Sequence, residues 1–88
     1  MRIGLTYDLR REYLAEGFSE EDAAEFDSDE TVDGIEGALR ELGHETDRIG
    51  RAKRLAERLV RGDRWDLVFN IAEGSNGEAG QVPGVLIV

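Results

Sequence analysis

The sequence predicts a small α/β domain: a three-layer, Rossmann-like βαβαβ half-domain with a mainly parallel sheet. Segments of strand and helix character alternate along the chain, an order typical of parallel strands joined by right-handed helical crossovers. With 88 residues the chain has the length of one domain, which we place over residues 1–88. A core of this size is marginal, so we expect a C-terminal strand or dimerisation to complete the sheet.

The first elements are a strand, a long connection and a helix. Residues 2–7 alternate apolar and small side chains, as a covered strand does. Residues 8–28 are polar and are expected to be irregular, apart from an amphipathic stretch at 20–26; connections of this length are often functional. Asp27 and Glu30 resemble a capping box, which marks a helix start. The helix that follows has one apolar face, made of Val32, Ile35, Leu39 and Leu42.

The remaining elements continue the alternation. Gly43 suits a helix end with positive φ, and the mostly polar residues 45–49 indicate a strand at a sheet edge. Residues 65–72, WDLVFNIA, are typical of a strand covered on both faces, and residues 85–88 form a last apolar strand. Between the edge strand and residue 65 lies a second helix that ends at Gly62, with an apolar stripe of Ala52, Leu55, Ala56, Leu59 and Val60.

Composition excludes several classes of protein. The chain carries 20 acidic and 11 basic residues, for a net charge of -9, so phosphate backbones and anionic membranes would repel it. It has no apolar run near the roughly 20 residues of a membrane span, and its N-terminus lacks the features of a signal peptide. The absence of cysteine excludes disulfides and thiolate zinc sites. We therefore expect a cytoplasmic protein that binds neither nucleic acid nor membrane.

Two loops are candidates for binding, because ligands of open α/β sheets lie at the carboxyl ends of the strands. The loop after the first strand lacks GxGxxG and GxxxxGK[ST], which excludes a dinucleotide fingerprint and a P-loop. Its Arg10 and Arg11 can hold a carboxylate or phosphate; the alternative is a solvated basic pair. An aspartyl phosphoacceptor at Asp8 is disfavoured, because no acidic pair accompanies it.

The second candidate loop follows the third strand. Asn70 and Glu73 lie at the strand's end, and three glycines, Gly74, Gly77 and Gly80, recur at every third position. Glycines leave the backbone open to a ligand and free to adopt positive φ. The alternative is a loop whose glycines only permit a turn, and the spacing alone leaves both readings open. The single His44 follows a helix end and can interact favourably with that helix terminus. The acidic residues of 20–30 are interpreted as a solvated face.

The residues MRIGLTYDLR through ETDRIG, then WDLVFNIAEG and GEAGQVPG, resemble the N-terminal domain of D-alanine–D-alanine ligases, members of the ATP-grasp superfamily. The resemblance covers nearly the whole chain and is closest in residues 1–74. It implies a pre-ATP-grasp fold, a role in peptidoglycan precursor synthesis and a site for D-alanine or a similar amino acid. It also implies ATP and Mg²⁺ as cofactors of the full-length enzyme, held by domains that this sequence does not include.

The resemblance implies site residues as well as departures from the family. An acidic residue before the first long helix orients the substrate amine in the family, and Glu25, Asp27 or Glu30 can fill that role. Glu73 and Gly74 stand where most members have a His-Gly pair; an ionised Glu73 would repel a carboxylate or acylphosphate, which puts the substrate in doubt. The substrate-binding set is thus Arg10, Glu30, Asn70, Glu73, Gly74 and Gly77.

No ATP-grasp domain is present in the 88 residues, so we expect no catalysis by this chain alone and assign no catalytic or metal-binding residue. A missing ATP-grasp domain or chain is the expected partner. The alternative is a stand-alone, non-catalytic module, truncated or engineered, that self-associates. The apolar residues Val85 to Val88 favour this alternative, since an exposed apolar strand is a template for pairing.

Overall fold

A computed structural model describes residues 1–71 and the backbone of residues 84–86. These residues form an α/β fold with three parallel strands and four helices. In chain order the elements are β1 (Arg2–Thr6), α1 (Arg10–Ala15), α2 (Glu20–Ala23), α3 (Asp29–Glu41), β2 (Glu45–Gly50), α4 (Ala52–Arg61), β3 (Leu67–Asn70) and β4 (Gly84–Leu86). Within the described part of the chain, no helix has the length and apolar character needed to cross a membrane.

The sheet has the strand order β2-β1-β3-β4. β1 pairs in parallel with β2 and β3, whereas β4 pairs antiparallel with β3. The prediction of a mainly parallel sheet with a C-terminal strand and with β2 at an edge is therefore confirmed. Helical crossovers connect the parallel strands: α3 lies between β1 and β2, and α4 lies between β2 and β3.

Hydrophobic side chains pack on both faces of the sheet. Alternate residues of a strand point to opposite faces, and the two buried clusters follow this alternation. One cluster joins α3 to β1 and β3 through Ile3, Leu5, Tyr7, Leu9, Val32 and Ile71. The other joins α4 to the opposite face through Ile49, Leu55, Trp65 and Val68. Trp65 lies directly over Gly4, the position where β1 has no side chain.

The structure corrects several predicted boundaries. Residues 8–28 are less irregular than expected, because they contain α1, and the amphipathic stretch at 20–26 is helical over Glu20–Ala23. Ser28, rather than Asp27, caps α3, because its side chain accepts a hydrogen bond from the Thr31 N–H. The third strand begins at Leu67 instead of Trp65, and β4 begins at Gly84. Residues 87 and 88 of the predicted last strand lie outside the described residues.

The predicted ends of both long helices are confirmed, but both apolar stripes are partly wrong, since Leu42 at the end of α3 is 74% exposed. Gly43 and Gly62 follow α3 and α4 with φ of 90° and 105°. Leu55 of α4 is buried, whereas Val60 is 91% exposed. Arg58 takes an inward position on that helix, 5.2 Å from the Trp65 ring. Arg58, paired with Asp47, thus packs against the sheet where the prediction placed an aliphatic side chain.

Candidate functional site

β1 and β3 end side by side at the edge of the sheet that is formed by the carboxyl ends of the parallel strands. This is the edge where α/β proteins bind ligands. Thr6 and Asn70 are in register there, and the Thr6 hydroxyl donates to the Asn70 side-chain oxygen at 2.9 Å. The Ile71 N–H then donates to the Thr6 carbonyl at 2.8 Å. This edge is also where β4 starts, because Gly84 pairs with Asn70.

A cleft of about 540 Å³ opens at this edge between α1 and the N-terminus of α3. We call it the α1–α3 cleft; its lining residues are Arg10, Arg11, Leu14, Asp27, Ser28, Asp29 and Glu30. Two backbone contacts fix its shape, since the Arg10 N–H donates to the Asp27 carbonyl and the Asp27 N–H donates to the Asp8 carbonyl, at 2.9 and 2.8 Å. The cleft therefore rests directly on the end of β1.

Two opposite charges in the α1–α3 cleft have no ionic partner among the described residues. Arg11 pairs with Asp29 at 2.9 Å, and this hydrogen bond raises the pKa of Arg11. Arg10 donates from one nitrogen to the carbonyls of Ala24 and Phe26, at 3.5 and 3.3 Å, and forms no salt bridge within the described residues. Glu30 is exposed in the first turn of α3. An arginine and a glutamate so placed can bind the carboxylate and the ammonium of one small ligand.

A second cleft, of about 520 Å³, lies on the other side of α1, against the turn from β2 to α4. We call it the α1–α4 cleft; it is lined by Tyr7, Glu12, Ala15, Glu16, Ile49, Gly50, Arg51 and Arg54. Gly50 has φ of 96°, which lets the chain turn sharply from the strand into the helix. Arg51 crosses the cleft to pair with Glu16 and lies 4.0 Å from the centroid of the Tyr13 ring.

Tyr13 connects α1 to the end of β1. Its hydroxyl donates to Oδ1 of Asp8 at 2.9 Å, and Asp8 is 6% exposed. Burial of the ring and then this hydrogen bond raise the pKa of Tyr13 to about 12. Tyr13 is therefore neutral at physiological pH, and its hydroxyl is a hydrogen-bond donor rather than a base.

The structure describes three of the six predicted site residues. Two of them lie together, and the third lies apart from them. Arg10 and Glu30 line the same cleft. Asn70 is 5% exposed, is engaged with Thr6 and lines none of the clefts described. Of the alternatives for the acidic role, Asp27 also lines the α1–α3 cleft, whereas Glu25 does not. Glu73, Gly74 and Gly77 lie outside the described residues.

Sequence reasoning missed Arg51 and the pairing of Asp8 with Tyr13. Arg51 meets Glu16 and Tyr13 across more than thirty positions of sequence, and no local pattern encodes such a contact. Nδ1 of His44 lies 3.4 Å from the N-terminal amine, and His44 lines neither cleft.

The described residues offer no ligand set for the Mg²⁺ that the family resemblance implies, since none of their side chains form a group of three or more metal-binding residues. The resemblance assigns ATP and Mg²⁺ to domains outside this sequence, so we derive no step through either. Comparison with protein-family models, with curated proteins and with solved structures gave no match.

Proposed function

We propose that this chain is the substrate-side domain of an ATP-dependent carboxylate–amine ligase of the D-alanine–D-alanine ligase type, with a three-layer, Rossmann-like fold. One observation carries the proposal: Arg10 and Glu30, both selected from the sequence, line one cleft at the end of β1. The proposed ligand is D-alanine or a similar small amino acid. Arg10 receives its carboxylate and Glu30 its ammonium.

The arrangement of charges supports an amino acid over a simple anion. Arg11 is neutralised by Asp29, so Arg10 is the cation of this cleft that remains for a ligand carboxylate. Glu30 provides an acceptor for an ammonium, and Asp27 adds a second negative charge to the lining. A phosphate or a dicarboxylate would place a second negative charge beside Glu30 after Arg10 had compensated the first, and like charges repel each other.

The role proposed for the chain is binding and orientation rather than catalysis. Phosphoryl transfer depends on groups that hold and neutralise the transferred phosphate, and the resemblance places those groups in an ATP-grasp domain. That domain, in the same or another chain, is the proposed partner, and the proposed setting is peptidoglycan precursor synthesis in the cytoplasm.

Titration of ¹⁵N-labelled protein with D-alanine tests the proposal. We expect millimolar binding, with amide shift changes confined to the residues of the α1–α3 cleft. Arg10→Ala is expected to abolish these changes, because it removes the carboxylate partner. Lys53→Ala, which removes an exposed cation of α4 outside the cleft, is the matched control and should bind as the unaltered chain does. An absence of shift changes in the cleft would refute the proposal.

A second candidate function is self-association, and the position of β4 favours it. Among the described strands β4 forms one edge of the sheet, and its residues Gly84–Leu86 carry no charge. The opposite edge, β2, carries Glu45, Asp47 and Arg48, the kind of charged edge that discourages pairing. Light scattering tests this candidate: pairing through β4 predicts a dimer that Leu86→Lys dissociates and Glu45→Lys does not. A monomer at all concentrations would exclude it.

A further inference from the structure

The segment between β1 and α3 folds as a small unit with its own apolar contacts. We call residues 10–26 the flap; it contains α1, the turn at Gly17 and α2. Tyr13 stacks on Phe26 with ring centroids 3.9 Å apart, and Phe18 meets Tyr13 edge-on at 5.1 Å. Neither of the two hydrophobic clusters of the sheet contains a flap residue.

The flap leaves and rejoins the domain at a single place. Leu9 and Asp27, which flank it, form an isolated parallel bridge, and the hydrogen bonds from Asp27 to Asp8 and from Arg10 to Asp27 close its base. A segment whose two ends lie side by side can open without displacing the strands that precede and follow it. Regions with few contacts to the main core are those that open locally in native proteins.

A small number of side chains hold the flap against the rest of the domain. Arg51 of the β2–α4 turn pairs with Glu16 and covers the Tyr13 ring at 4.0 Å. The second ion pair that leaves the flap, Arg11 with Asp29, has side chains 66% and 45% exposed. The side chains of Arg51 and Glu16 are 31% and 49% exposed, so the difference between the two pairs lies in the arginines. Because shielding from water strengthens such contacts, Arg51 makes the stronger of the two ion pairs. The Tyr13 hydroxyl adds a hydrogen bond to Asp8 at 2.9 Å.

We propose that the flap opens as a separate cooperative unit while the sheet stays folded, and that Arg51 is the latch that holds it closed. α1 forms a wall of both clefts, since Arg10, Arg11 and Leu14 line one side and Glu12, Ala15 and Glu16 the other. Opening of the flap removes that wall from both clefts. Access to either cleft is thereby coupled to the latch, whichever ligand the clefts bind.

Hydrogen exchange measured residue by residue tests the separate opening. The amides of Phe18, Ala23 and Phe26 donate to carbonyls inside the flap, at 3.1, 2.9 and 3.1 Å. We expect these three amides to share one opening equilibrium and to exchange faster than the paired amides of β1 and β3. Exchange of the flap at the same rate as the sheet would overturn the proposal, because it would mean that both open only by global unfolding.

Substitution of Arg51 tests the latch. Arg51→Ala is expected to raise flap exchange roughly tenfold, since it removes an ion pair and a cation–π contact. Glu16→Gln keeps Arg51 over the Tyr13 ring and should raise exchange by only about threefold. Arg54→Ala is the matched control, because Arg54 lines the same cleft and its ion pair, with Glu57, stays within α4.

The fluorescence of Trp65, the single tryptophan, reports on the core beneath α4. The proposal expects the Arg51→Ala variant to unfold at nearly the same denaturant concentration as the unaltered chain. Unchanged flap exchange in that variant, or an equal rise of exchange in the sheet, would overturn the assignment of Arg51 as a latch.

Discussion

Single charged residues attach the edge strand β2 to a helix on each face of the sheet. Glu36 of α3 is 8% exposed and accepts hydrogen bonds from Arg48 and Thr46, at 2.9 and 2.8 Å. On the other face Asp47 accepts from Arg58 at 2.9 Å and from the Trp65 indole at 3.0 Å. Sequence reasoning recognised β2 as a polar edge strand but not its partners, because those partners are distant in sequence. The strand thus docks by ion pairs where an interior strand would bury aliphatic side chains.

Gly4 is the residue at which close packing leaves no room for a side chain. A Cβ there would lie 2.5 Å from Cδ1 of Ile49 and 3.3 Å from the Trp65 ring. We predict that Gly4→Ala lowers the free energy of unfolding by about 1–3 kcal/mol, the usual cost of overpacking. The Ile49 methyl is flexible, but the indole is fixed by its hydrogen bond to Asp47. Chemical denaturation followed by Trp65 fluorescence measures the change.

The matched control is Gly37→Ala in α3. A Cβ at Gly37 meets nothing within 4 Å, and alanine is the better helix former by about 1 kcal/mol. We therefore expect Gly37→Ala to stabilise the domain. Equal stability of the two variants would contradict the packing of Trp65 on Gly4.

At the scale of elements, the order of β1, α3, β2, α4 and β3 was predictable and the flap was not. Apolar periodicity and terminal glycines located the long helices, since Gly43 and Gly62 end them as expected. The helix α1 has only six residues. Its Tyr13 packs against Phe18 and Phe26, which lie outside the helix. A stretch this short carries less than two turns of periodicity, so tertiary contacts rather than local pattern determine it.

For the candidate site, the sequence allowed individual residues to be selected but did not indicate which of them lie together. Arg10 follows from its position after the first strand, whereas Glu30 was one of three acidic residues that the family resemblance offered for the substrate amine. Their meeting in one cleft depends on the Leu9–Asp27 bridge, which no residue pattern indicates. Asn70 was correctly expected at the end of β3, but its engagement with Thr6 depends on the strand order.

The start of α3 allows a prediction about helix capping. The Ser28 hydroxyl accepts from the Thr31 N–H at 3.2 Å, so Ser28→Ala is expected to lower the free energy of unfolding by about 1 kcal/mol. Ser19 caps α2 in the same way, at 3.1 Å from the Asp22 N–H, but α2 belongs to the flap. If the flap opens separately, Ser19→Ala leaves global denaturation unchanged and accelerates only flap exchange. An equal global loss in both variants would argue against a separate flap.

At the scale of the whole molecule, the ion pairs around β2 make stability depend on pH. The hydrogen bond from Arg58 and those from Trp65 and Arg2 hold the pKa of Asp47 well below its ordinary value of 3.8. Arg48 and Thr46 likewise lower the pKa of Glu36 from 4.5. A carboxyl group whose pKa is lower in the folded state stabilises that state fully above its ordinary pKa. The stabilisation is lost as the pH falls towards the folded value.

We therefore predict that the thermal midpoint is nearly constant from pH 8 down to about pH 5.5 and falls steadily below about pH 4.5. Asp47→Asn is expected to cost about 1–3 kcal/mol at neutral pH, since it removes a charged acceptor from Arg58, Arg2 and Trp65. The same variant should lose part of the acid dependence, so that the two midpoint curves converge as the pH falls. Glu41→Gln, which alters an exposed carboxylate at the end of α3, should keep the full dependence. Parallel curves for the unaltered chain and Asp47→Asn would show that the acid sensitivity does not arise from Asp47.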